Sequence, residues 1–286
     1  MTLLPLTPEG RTPVRALTIA GTDSGGGAGI QADSRTMTLL GVHACVAVAA
    51  VTVQNTVGVS GFHEIPPQTV ADQVRTVVGD IGIGAAKTGM LASTAIIEAV
   101  ASVCAEVGIG RAGDIPLVVD PVAASMHGDA LLHTEALQAL REALIPMATV
   151  ITPNLDEVRL LTGVRVDDDR SARRAAEALH ALGPRWTVVK GGHRRASEVS
   201  TDLLFDGDRF HELSAARIDT GNDHGGGDTL AAAAACALAH GYPVPEAIAF
   251  AKEWTTRCLQ AAYPLGAGHG PVSPLWRLDT PSNLPG

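Results

Sequence analysis

Short apolar runs alternate with amphipathic segments along most of the chain, and this alternation restricts the possible folds more than any other feature. Strands that alternate with helices through short links form a parallel sheet with helices on both faces. Runs typical of buried strands occupy residues 15–20, 44–53, 85–90, 116–120, 149–153 and 187–190. The sequence therefore predicts an α/β fold, with a single domain at residues 15–276 and flexible tails at 1–14 and 277–286.

Apolar residues at helical spacing predict the helices between these strands. They occupy residues 30–40, 66–79, 94–107, 134–144, 155–161, 170–182 and 245–262, and an alanine-rich helix follows Asp228. An Asp-Gly pair at residues 206–207 predicts a hairpin between 203–205 and 208–213.

The composition excludes several classes of protein. A net charge of −9 argues against nucleic acid or an anionic membrane surface as a partner. The longest apolar run, residues 44–53, is too short to cross a bilayer, and the first residues lack the apolar core of a secretory signal. Scattered cysteines without a CxxC pair favour buried, reduced thiols in a cytoplasmic protein; they are Cys45, Cys104, Cys236 and Cys258.

The stretch TGNDHGGGDTLA, at residues 220–231, is the first candidate for a functional site. Gly225, Gly226 and Gly227 stand before the start of an alanine-rich helix, where unpaired backbone N–H groups and the helix dipole attract anions. Amides for an anion beside the carboxylate of Asp228 suit phosphoryl transfer to a hydroxyl group. The alternative is a flexible loop in which Asp228 is only an N-cap.

Polar residues also follow five other predicted strands, at the end where parallel sheets bind their ligands. They are Asp23, Gln54, Asp120, the pair Asn154 and Glu157, and Lys190. Each has a simpler alternative, since Gln54 suits a polar turn and Lys190 a solvated surface. Asn154 and Glu157 have the spacing of a capping box. Together the six signals favour a phosphoryl-transfer cleft with acids that suit Mg²⁺.

Several stretches occur in an order shared with a known family. They are AGTDSGGGAGIQAD, TVQNT, KTGML, DPV followed by HGDALL, ITPNLDE, VKGGH, HGGGDTLAAAAA and GHGPV, between about residues 15 and 275. This pattern resembles the ribokinase-like superfamily and, within it, the hydroxymethylpyrimidine/phosphomethylpyrimidine kinases of thiamine biosynthesis. The resemblance implies a three-layer α/β/α sandwich with a mostly parallel central sheet. It also implies that the chain uses ATP and Mg²⁺ to phosphorylate 4-amino-5-hydroxymethyl-2-methylpyrimidine on its hydroxymethyl group and then phosphorylates the monophosphate.

The resemblance also implies roles for individual residues. The pyrimidine would contact Ala20, Gly21, Asp23, Gln54, Met90 and Val122. Mg²⁺ and phosphate would be organised by Asp120, Asn154 and Glu157. The nucleotide and its phosphates would lie against Thr220, Gly225, Gly226, Gly227 and the helix at 246–262. Lys190 would neutralise the transferred phosphate and Asp228 would be the catalytic base, in a protein expected to form a homodimer.

One motif departs from the family pattern. The family usually reads GTGC where this chain reads GGGD, so Gly226 replaces a threonine and Asp228 replaces a cysteine. The wider superfamily places an aspartate at the last position as the base, and a carboxylate can accept the hydroxymethyl proton. An added negative charge would repel an acceptor that is already a phosphate monoester. We therefore expect the second phosphorylation to be the more sensitive step.

Three other functions remain open at this point. A pyridoxal kinase of the same fold acts on a ring of similar size, although Gln54 and Met90 favour the pyrimidine. A non-catalytic binding protein would not need the acids and lysine described above. A dinucleotide oxidoreductase is disfavoured because the spacing of Gly25, Gly26, Gly27 and Gly29 does not match GxGxxG. A phosphate loop of the form GxxxxGK[ST] is also absent from the sequence.

Overall fold

A twisted central sheet organises the residues that the computed structural model describes, which are 10–123, 134–191 and 198–278. The strands of this part of the chain are β1 (Val14–Ala20), β2 (Val42–Val48), β3 (Ala50–Asn55), β4 (Gly58–Glu64), β5 (Ala85–Thr88), β6 (Leu117–Val119), β7 (Val150–Ile151), β8 (Trp186–Val189), β9 (Val199–Phe205) and β10 (Phe210–Ala216). Eight of these described strands form one sheet in the order β10-β9-β8-β7-β6-β5-β1-β2, and β3 pairs with β4 separately. In this sheet the neighbouring strands β2, β1, β5, β6, β7 and β8 pair in parallel. Strand β9 runs antiparallel to both of its neighbours, β8 and β10.

Helices cover both faces of this sheet. Those in the described residues are α1 (Gly29–Leu39), α2 (Pro67–Asp80), α3 (Thr94–Glu106), α4 (Thr134–Ala139), α5 (Leu155–Thr162), α6 (Asp169–His180), α7 (Gly226–Ala239) and α8 (Val244–Gln260). Helices α2 to α6 contribute to the hydrophobic core on one face, and α1, α7 and α8 to the core on the other. The predicted three-layer α/β/α sandwich with a mostly parallel sheet is therefore confirmed.

Helix α7 is buried on nearly all sides. Its alanines at positions 231 to 235 are fully inaccessible to solvent, between the sheet and the neighbouring helices α1 and α8. A helix that is apolar all round belongs in a core, and small side chains let it lie close to the sheet. The sequence puts the best helix former at these positions, which keeps the glycine-rich start of α7 at a fixed place.

The predicted strand at residues 44–53 is wrong in its second half. The chain leaves the central sheet at Ala49 and continues as β3, which forms an antiparallel pair with β4. Val51 and Val53 are 46% and 63% exposed, so the apolar run does not mark a strand covered on both faces. Strand β4, which contains two glycines, was not predicted. The consequence for the site is that Gln54 belongs to this small two-stranded sheet rather than to the central one.

Two other predictions have different outcomes. The helix predicted at 134–144 is α-helical over Thr134–Ala139 and then becomes a π-helix over Leu140–Leu144, followed by a 3₁₀ turn that contains Pro146. Pro146 has no backbone N–H to donate to a carbonyl of the preceding turn, which is consistent with this irregular end. The predicted hairpin is confirmed as β9 and β10, and the Asp206 carboxylate accepts hydrogen bonds from the backbone N–H groups of Asp208 and Arg209.

Some of the sequence predictions fall outside the described residues. The undescribed residues include the chain ends at 1–9 and 279–286, the HGDALL stretch and the last two residues of VKGGH. The predicted boundaries of the domain and of the tails therefore stay predictions. In the described ranges, no helix has the length and apolar character needed to cross a membrane. The four cysteines lie within those ranges and are buried and free, as predicted.

Replacing an alanine inside α7 should destabilise the protein. Ala233→Leu adds volume at a fully buried position, and we expect it to lower the free energy of unfolding by about 1–3 kcal/mol. Ala105→Leu, at an exposed position of α3, is the matched control and should change stability by less than about 0.5 kcal/mol. Denaturant unfolding measures both. Equal effects of the two substitutions would contradict the tight packing of α7.

Candidate active site

A cleft of about 1760 Å³ opens at the carboxyl ends of the parallel strands. Fourteen of the residues singled out in the sequence line it: Gly21, Asp23, Gln54, Met90, Asp120, Val122, Asn154, Glu157, Lys190, Thr220, Gly225, Gly226, Gly227 and Asp228. Ala20 does not line the cleft, because it is the last residue of β1 and is fully buried. The structure thus brings the predicted residues together except Ala20, while their individual roles stay predictions.

The start of α7 forms the floor of the cleft. Gly225 is the N-cap and has a φ of +75°, and a Cβ there would overlap the carbonyl oxygen of Gly27. The N–H group of Gly226 donates to the Asp223 carbonyl oxygen at 3.1 Å. Within the described residues, the N–H groups of Gly227 and Asp228 have no acceptor. Two backbone donors at the positive end of a helix are therefore available to an anion.

Asp228 is not the N-cap that the sequence left open as an alternative. It is the third residue of α7, and its Oδ1 accepts a hydrogen bond from Lys87 Nζ at 3.0 Å. Lys87 Nζ also donates to both carboxylate oxygens of Asp33, at 3.0 and 2.9 Å. Burial alone would lower the pKa of Lys87, but the charges of Asp33 and Asp228 outweigh it and raise the pKa above its usual value.

Sequence reasoning missed both Lys87 and Asp33. Both side chains are completely buried, and the Asp33 carboxylate also accepts a hydrogen bond from the Thr18 hydroxyl at 2.6 Å. Burial raises the pKa of Asp33 to about 7, although the Lys87 charge opposes this shift. The available signal was a lysine within the buried strand run AAKT, because a buried lysine needs a charged partner.

A second ion pair lies beside Gly227 at the α7 start. Lys190 Nζ lies 3.4 Å from Asp120 Oδ1, and a Cβ built on Gly227 would lie 3.4 Å from both Lys190 Nζ and Asp120 Oδ2. Lys190 is thus not the solvated lysine of the simpler alternative, since its side chain is only 14% exposed. Burial disfavours its charge, yet Asp120 and Glu157 keep the pKa of Lys190 raised.

The capping box proposed for Asn154 and Glu157 is present. Asn154 Oδ1 accepts from the N–H groups of Asp156 and Glu157, and Glu157 Oε2 accepts from the Asn154 N–H at 2.8 Å. Glu157 Oε1 accepts from the Ala123 N–H at 3.3 Å. Burial raises the pKa of Glu157 to about 7, despite the nearby charge of Lys190. Both residues therefore hold the start of α5, whatever else they do.

The acidic and amide residues of the cleft fit an Mg²⁺ ion that is held largely by water and substrate phosphates. No group of three or more His, Cys, Asp and Glu side chains that could hold a metal occurs within the described residues. Mg²⁺ usually keeps several waters and is held by one or two carboxylates together with substrate phosphates. Asp120 suits this arrangement, because its Oδ2 faces the α7 start where a phosphate would lie. Asn154, whose side-chain oxygen already accepts two backbone N–H groups, suits it less well than the sequence predicted.

Asp23 organises the glycine-rich loop between β1 and α1. Its carboxylate accepts hydrogen bonds from the N–H groups of Gly25, Gly27 and Ala28, at 2.8 to 2.9 Å. His224 Nε2 lies 2.8 Å from Asp23 Oδ2. Burial alone would raise the pKa of Asp23, but these donors lower it. Asp23 therefore keeps the loop folded and is less free to contact a pyrimidine than the sequence suggested.

His224 is a third residue that sequence reasoning missed. Its ring lies between the glycine-rich loop and the start of α7, and its Nε2 is 3.4 Å from Gln54 Nε2. The sequence shows that His224 directly precedes three glycines. It does not show the contact with Asp23, because the two residues are 201 positions apart. Near the predicted pyrimidine position, Met90 Sδ would lie 3.4 Å from a Cβ on Gly21.

Val122 has an unusual backbone. Its φ is +40°, which is a genuine outlier for a β-branched residue, and it lines the cleft two residues after Asp120. Strained residues of this kind cluster at functional sites, where the surrounding structure holds them in place. The strain therefore supports a role for this segment in ligand binding.

The far end of the cleft suits a nucleotide. Thr220 and residues of α8, among them Lys252, Thr255 and Leu259, line it. Lys252 Nζ lies 2.9 Å from Asp202 Oδ2 and donates to Ser200 Oγ at 3.0 Å. This wall contains Thr220 and part of the helix against which the sequence placed adenine, and the start of α7 and Gln54 line the same cleft.

Comparisons with known proteins show which sequences and folds this chain is similar to. The sequence profile described as "Phosphomethylpyrimidine kinase" matches residues 23–273. A Mycobacterium leprae protein named hydroxymethylpyrimidine/phosphomethylpyrimidine kinase is 64% identical over 97% of this chain and 99% of its own length. The ADP complex of Bacillus subtilis pyridoxal kinase is similar with a TM-score of 0.84 and 37% identity, covering 94% of this chain and all of that one. Phosphomethylpyrimidine kinase from Clostridium difficile matches with a TM-score of 0.74 and 34% identity, over 85% and 98%.

The buried Glu157 should make stability depend on pH. Its pKa is 4.5 ordinarily and about 7 in the folded protein, so this group favours the folded state below about pH 4.5 and loses that contribution as pH rises to about 7. Glu157→Gln keeps a side chain that can cap α5 but does not titrate. Between pH 4 and 8, the free energy of unfolding of this variant should therefore decrease by roughly 1–3 kcal/mol less than that of the wild type. Unfolding measured between pH 4 and 8 tests this. Asp156→Asn, at an exposed position of the same turn, is the control, and an unchanged pH dependence in Glu157→Gln would contradict the burial effect.

Proposed function

The chain belongs to the phosphomethylpyrimidine kinase family, and on that premise we propose that it phosphorylates 4-amino-5-hydroxymethyl-2-methylpyrimidine and then its monophosphate, with ATP, in thiamine biosynthesis. One observation carries the proposal. Among the described residues the N–H groups of Gly227 and Asp228 have no acceptor, the ammonium of Lys190 lies beside Gly227, and the Asp228 carboxylate lines the same cleft. An anion site, a cation and a base in one cleft are what phosphoryl transfer to a hydroxyl requires.

Asp228 is the proposed base of the first step. As the hydroxymethyl oxygen forms its bond to the γ-phosphorus, the bond from that phosphorus to the ADP oxygen breaks, and the hydroxyl proton passes to the Asp228 carboxylate. The amides of Gly227 and Asp228 and the ammonium of Lys190 stabilise the negative charge on the transferred group. Since these amides are held in place by the buried body of α7, from Thr229 onward, little reorganisation is needed during the reaction.

ATP and Mg²⁺ are part of the proposal. The related Bacillus subtilis pyridoxal kinase is described as an ADP complex, and the cleft offers this chain a place for the nucleotide beside Thr220 and α8. Mg²⁺ would reduce the charge repulsion between the phosphates and the attacking oxygen. Asp120, with its Oδ2 directed toward the α7 start, is the residue proposed to hold the ion, and Glu157 would act through water.

The acceptor side of the cleft lies near Gln54, Gly21 and Met90. Gln54 carries a donor and an acceptor on one amide, which suits a ring nitrogen next to an exocyclic amine. His224, 3.4 Å from Gln54, adds a second polar group at this place. We further propose that the protein forms a homodimer and is located in the cytoplasm. The four free cysteines support the cytoplasmic location.

A pyridoxal kinase activity is the second candidate. It is favoured by the similarity to the Bacillus subtilis pyridoxal kinase at a TM-score of 0.84. Pyridoxal also carries a hydroxymethyl group on a six-membered ring. The two functions need not exclude each other, since the reacting groups of the cleft would be the same for both acceptors.

A direct assay separates these functions. ATP-dependent phosphorylation should be measured with the pyrimidine alcohol, its monophosphate and pyridoxal as acceptors, and we expect the highest kcat/KM with the pyrimidine alcohol. Competition between the alcohol and pyridoxal shows whether they share the cleft. A higher kcat/KM with pyridoxal would favour the second candidate, and no phosphorylation of any acceptor would favour a non-catalytic binding protein.

Asp228→Asn should slow the first step strongly. It removes the base but keeps the size of the side chain, and we expect kcat with the pyrimidine alcohol to fall by about 10²–10⁴. Asp80→Asn, at an exposed position at the end of α2, is the control and should leave kcat unchanged. Near-normal turnover of Asp228→Asn with the alcohol would show that this residue is not the base.

A further inference from the structure

Asp228 is joined to a buried network of charged and polar side chains. The mechanism described above gives the other members of this network no role. Lys87 on β5 donates to Asp228 Oδ1 and to both oxygens of Asp33, which lies on α1. The three distances are 3.0, 3.0 and 2.9 Å. Thr18 on β1 completes the network by donating to Asp33 at 2.6 Å. Four separate elements of the fold thus contribute one side chain each.

The network is built to hold the ammonium group in one place. Lys87 and Asp33 have completely inaccessible side chains, while Asp228 is 15% exposed on its cleft side. An ammonium group has three protons, and three acceptor oxygens among the described residues take them. The absence of a side chain at Gly89 leaves space for the Lys87 ammonium, because a Cβ at Gly89 would lie only 3.0 Å from Lys87 Nζ.

Stability does not account for such a network. Taking three charged groups out of water is unfavourable, and apolar residues of the same volume often give a more stable protein than a buried ion pair does. The Lys87 ammonium also lies between two carboxyl groups, those of Asp33 and Asp228, rather than in a one-to-one pair. The member that reaches the cleft is Asp228, and the network therefore acts through that residue.

We propose that Lys87 is a positioning residue that holds Asp228 in place and offsets its charge, so that the cleft can accept a phosphate monoester as well as a neutral alcohol. Asp33 and Thr18 fix Lys87 in turn. The inference rests on the proposed function and deepens it, because it concerns the second acceptor of the same site. Asp33 also keeps Lys87 from moving into the cleft, where it would pair with a substrate phosphate instead.

The two acceptors make different demands on Asp228. The alcohol has a proton that a base must remove as the oxygen attacks phosphorus. The monophosphate is largely dianionic at neutral pH, so its attacking oxygen has no proton to lose. For this second acceptor the Asp228 carboxylate has no proton to accept and contributes only repulsion. A cation 3.0 Å from that carboxylate reduces the repulsion, which then lets one cleft serve both steps.

The test compares the two acceptors in charge variants of the network. Lys87→Met keeps the length of the side chain but removes its charge. We expect kcat/KM with the alcohol to fall about 10-fold and kcat/KM with the monophosphate to fall at least 100-fold, so that their ratio changes by 10-fold or more. Arg75→Met, in a surface ion pair with Asp72 and Glu106, is the control and should leave the ratio unchanged.

A second variant covers the case in which Lys87→Met does not fold. The double variant Lys87→Met with Asp33→Asn removes the opposite charges of Lys87 and Asp33 together, and the amide oxygen introduced on α1 would still accept from Thr18. It should fold and still discriminate against the monophosphate by 10-fold or more, because Asp228 lacks its cation. Equal recovery of both activities in the double variant would overturn the inference and leave a structural role for Lys87.

A binding measurement separates this inference from the proposed function. Calorimetry gives the Kd of the alcohol and of the monophosphate without any turnover. Lys87→Met or the double variant should weaken binding of the monophosphate at least 10-fold more than binding of the alcohol. Wild-type protein that phosphorylates neither acceptor would contradict the proposed function alone. An unchanged ratio of the two Kd values, with or without turnover, would contradict the role proposed for Lys87.

Discussion

The contact between two glycine-rich loops is the constraint on which the rest of the site depends. Gly225, in the left-handed conformation, lies so close to the Gly27 carbonyl oxygen that no side chain fits between them. This contact joins the loop after β1 to the start of α7, and it fixes the distance between the proposed acceptor and phosphate positions. Because α7 is packed on nearly all sides, the loops cannot separate without disturbing the core. The position of the anion site is thus set by packing far from the chemistry.

Two buried groups of charged residues lie near this contact, and each consists of a lysine with aspartate partners. Lys87 contacts Asp33 and Asp228, and Lys190 lies against Asp120 beside Gly227. Each lysine remains charged in a buried place because acids surround it, as the raised pKa values of both lysines indicate. Both lysines thus place positive charge close to the cleft in a protein whose net charge is −9.

The sequence predicted the fold and most of the cleft, for reasons that particular residues make clear. Local patterns such as the alanine-rich α7 or the Asn154 capping box depend on neighbours in the chain, and these were predictable. The break at Ala49 was not, since an apolar run does not reveal where a strand loses its partner. Lys87 and His224 were missed because their partners, Asp33 and Asp23, lie 54 and 201 residues away. Pairings of that kind become visible only when the sheet brings the segments together.

The chain of contacts from Gln54 through His224 to Asp23 has a thermodynamic consequence. His224 contacts the loop proposed to lie beside the acceptor and also immediately precedes the glycines proposed to bind the phosphates. Because these contacts already hold both parts in place, a ligand bound at one part leaves little motion for the other ligand to remove. Acceptor and nucleotide are then expected to bind with little entropic coupling, and linkage requires any coupling to have the same magnitude in both directions. The affinity of one ligand, measured with and without the other, would report this coupling directly.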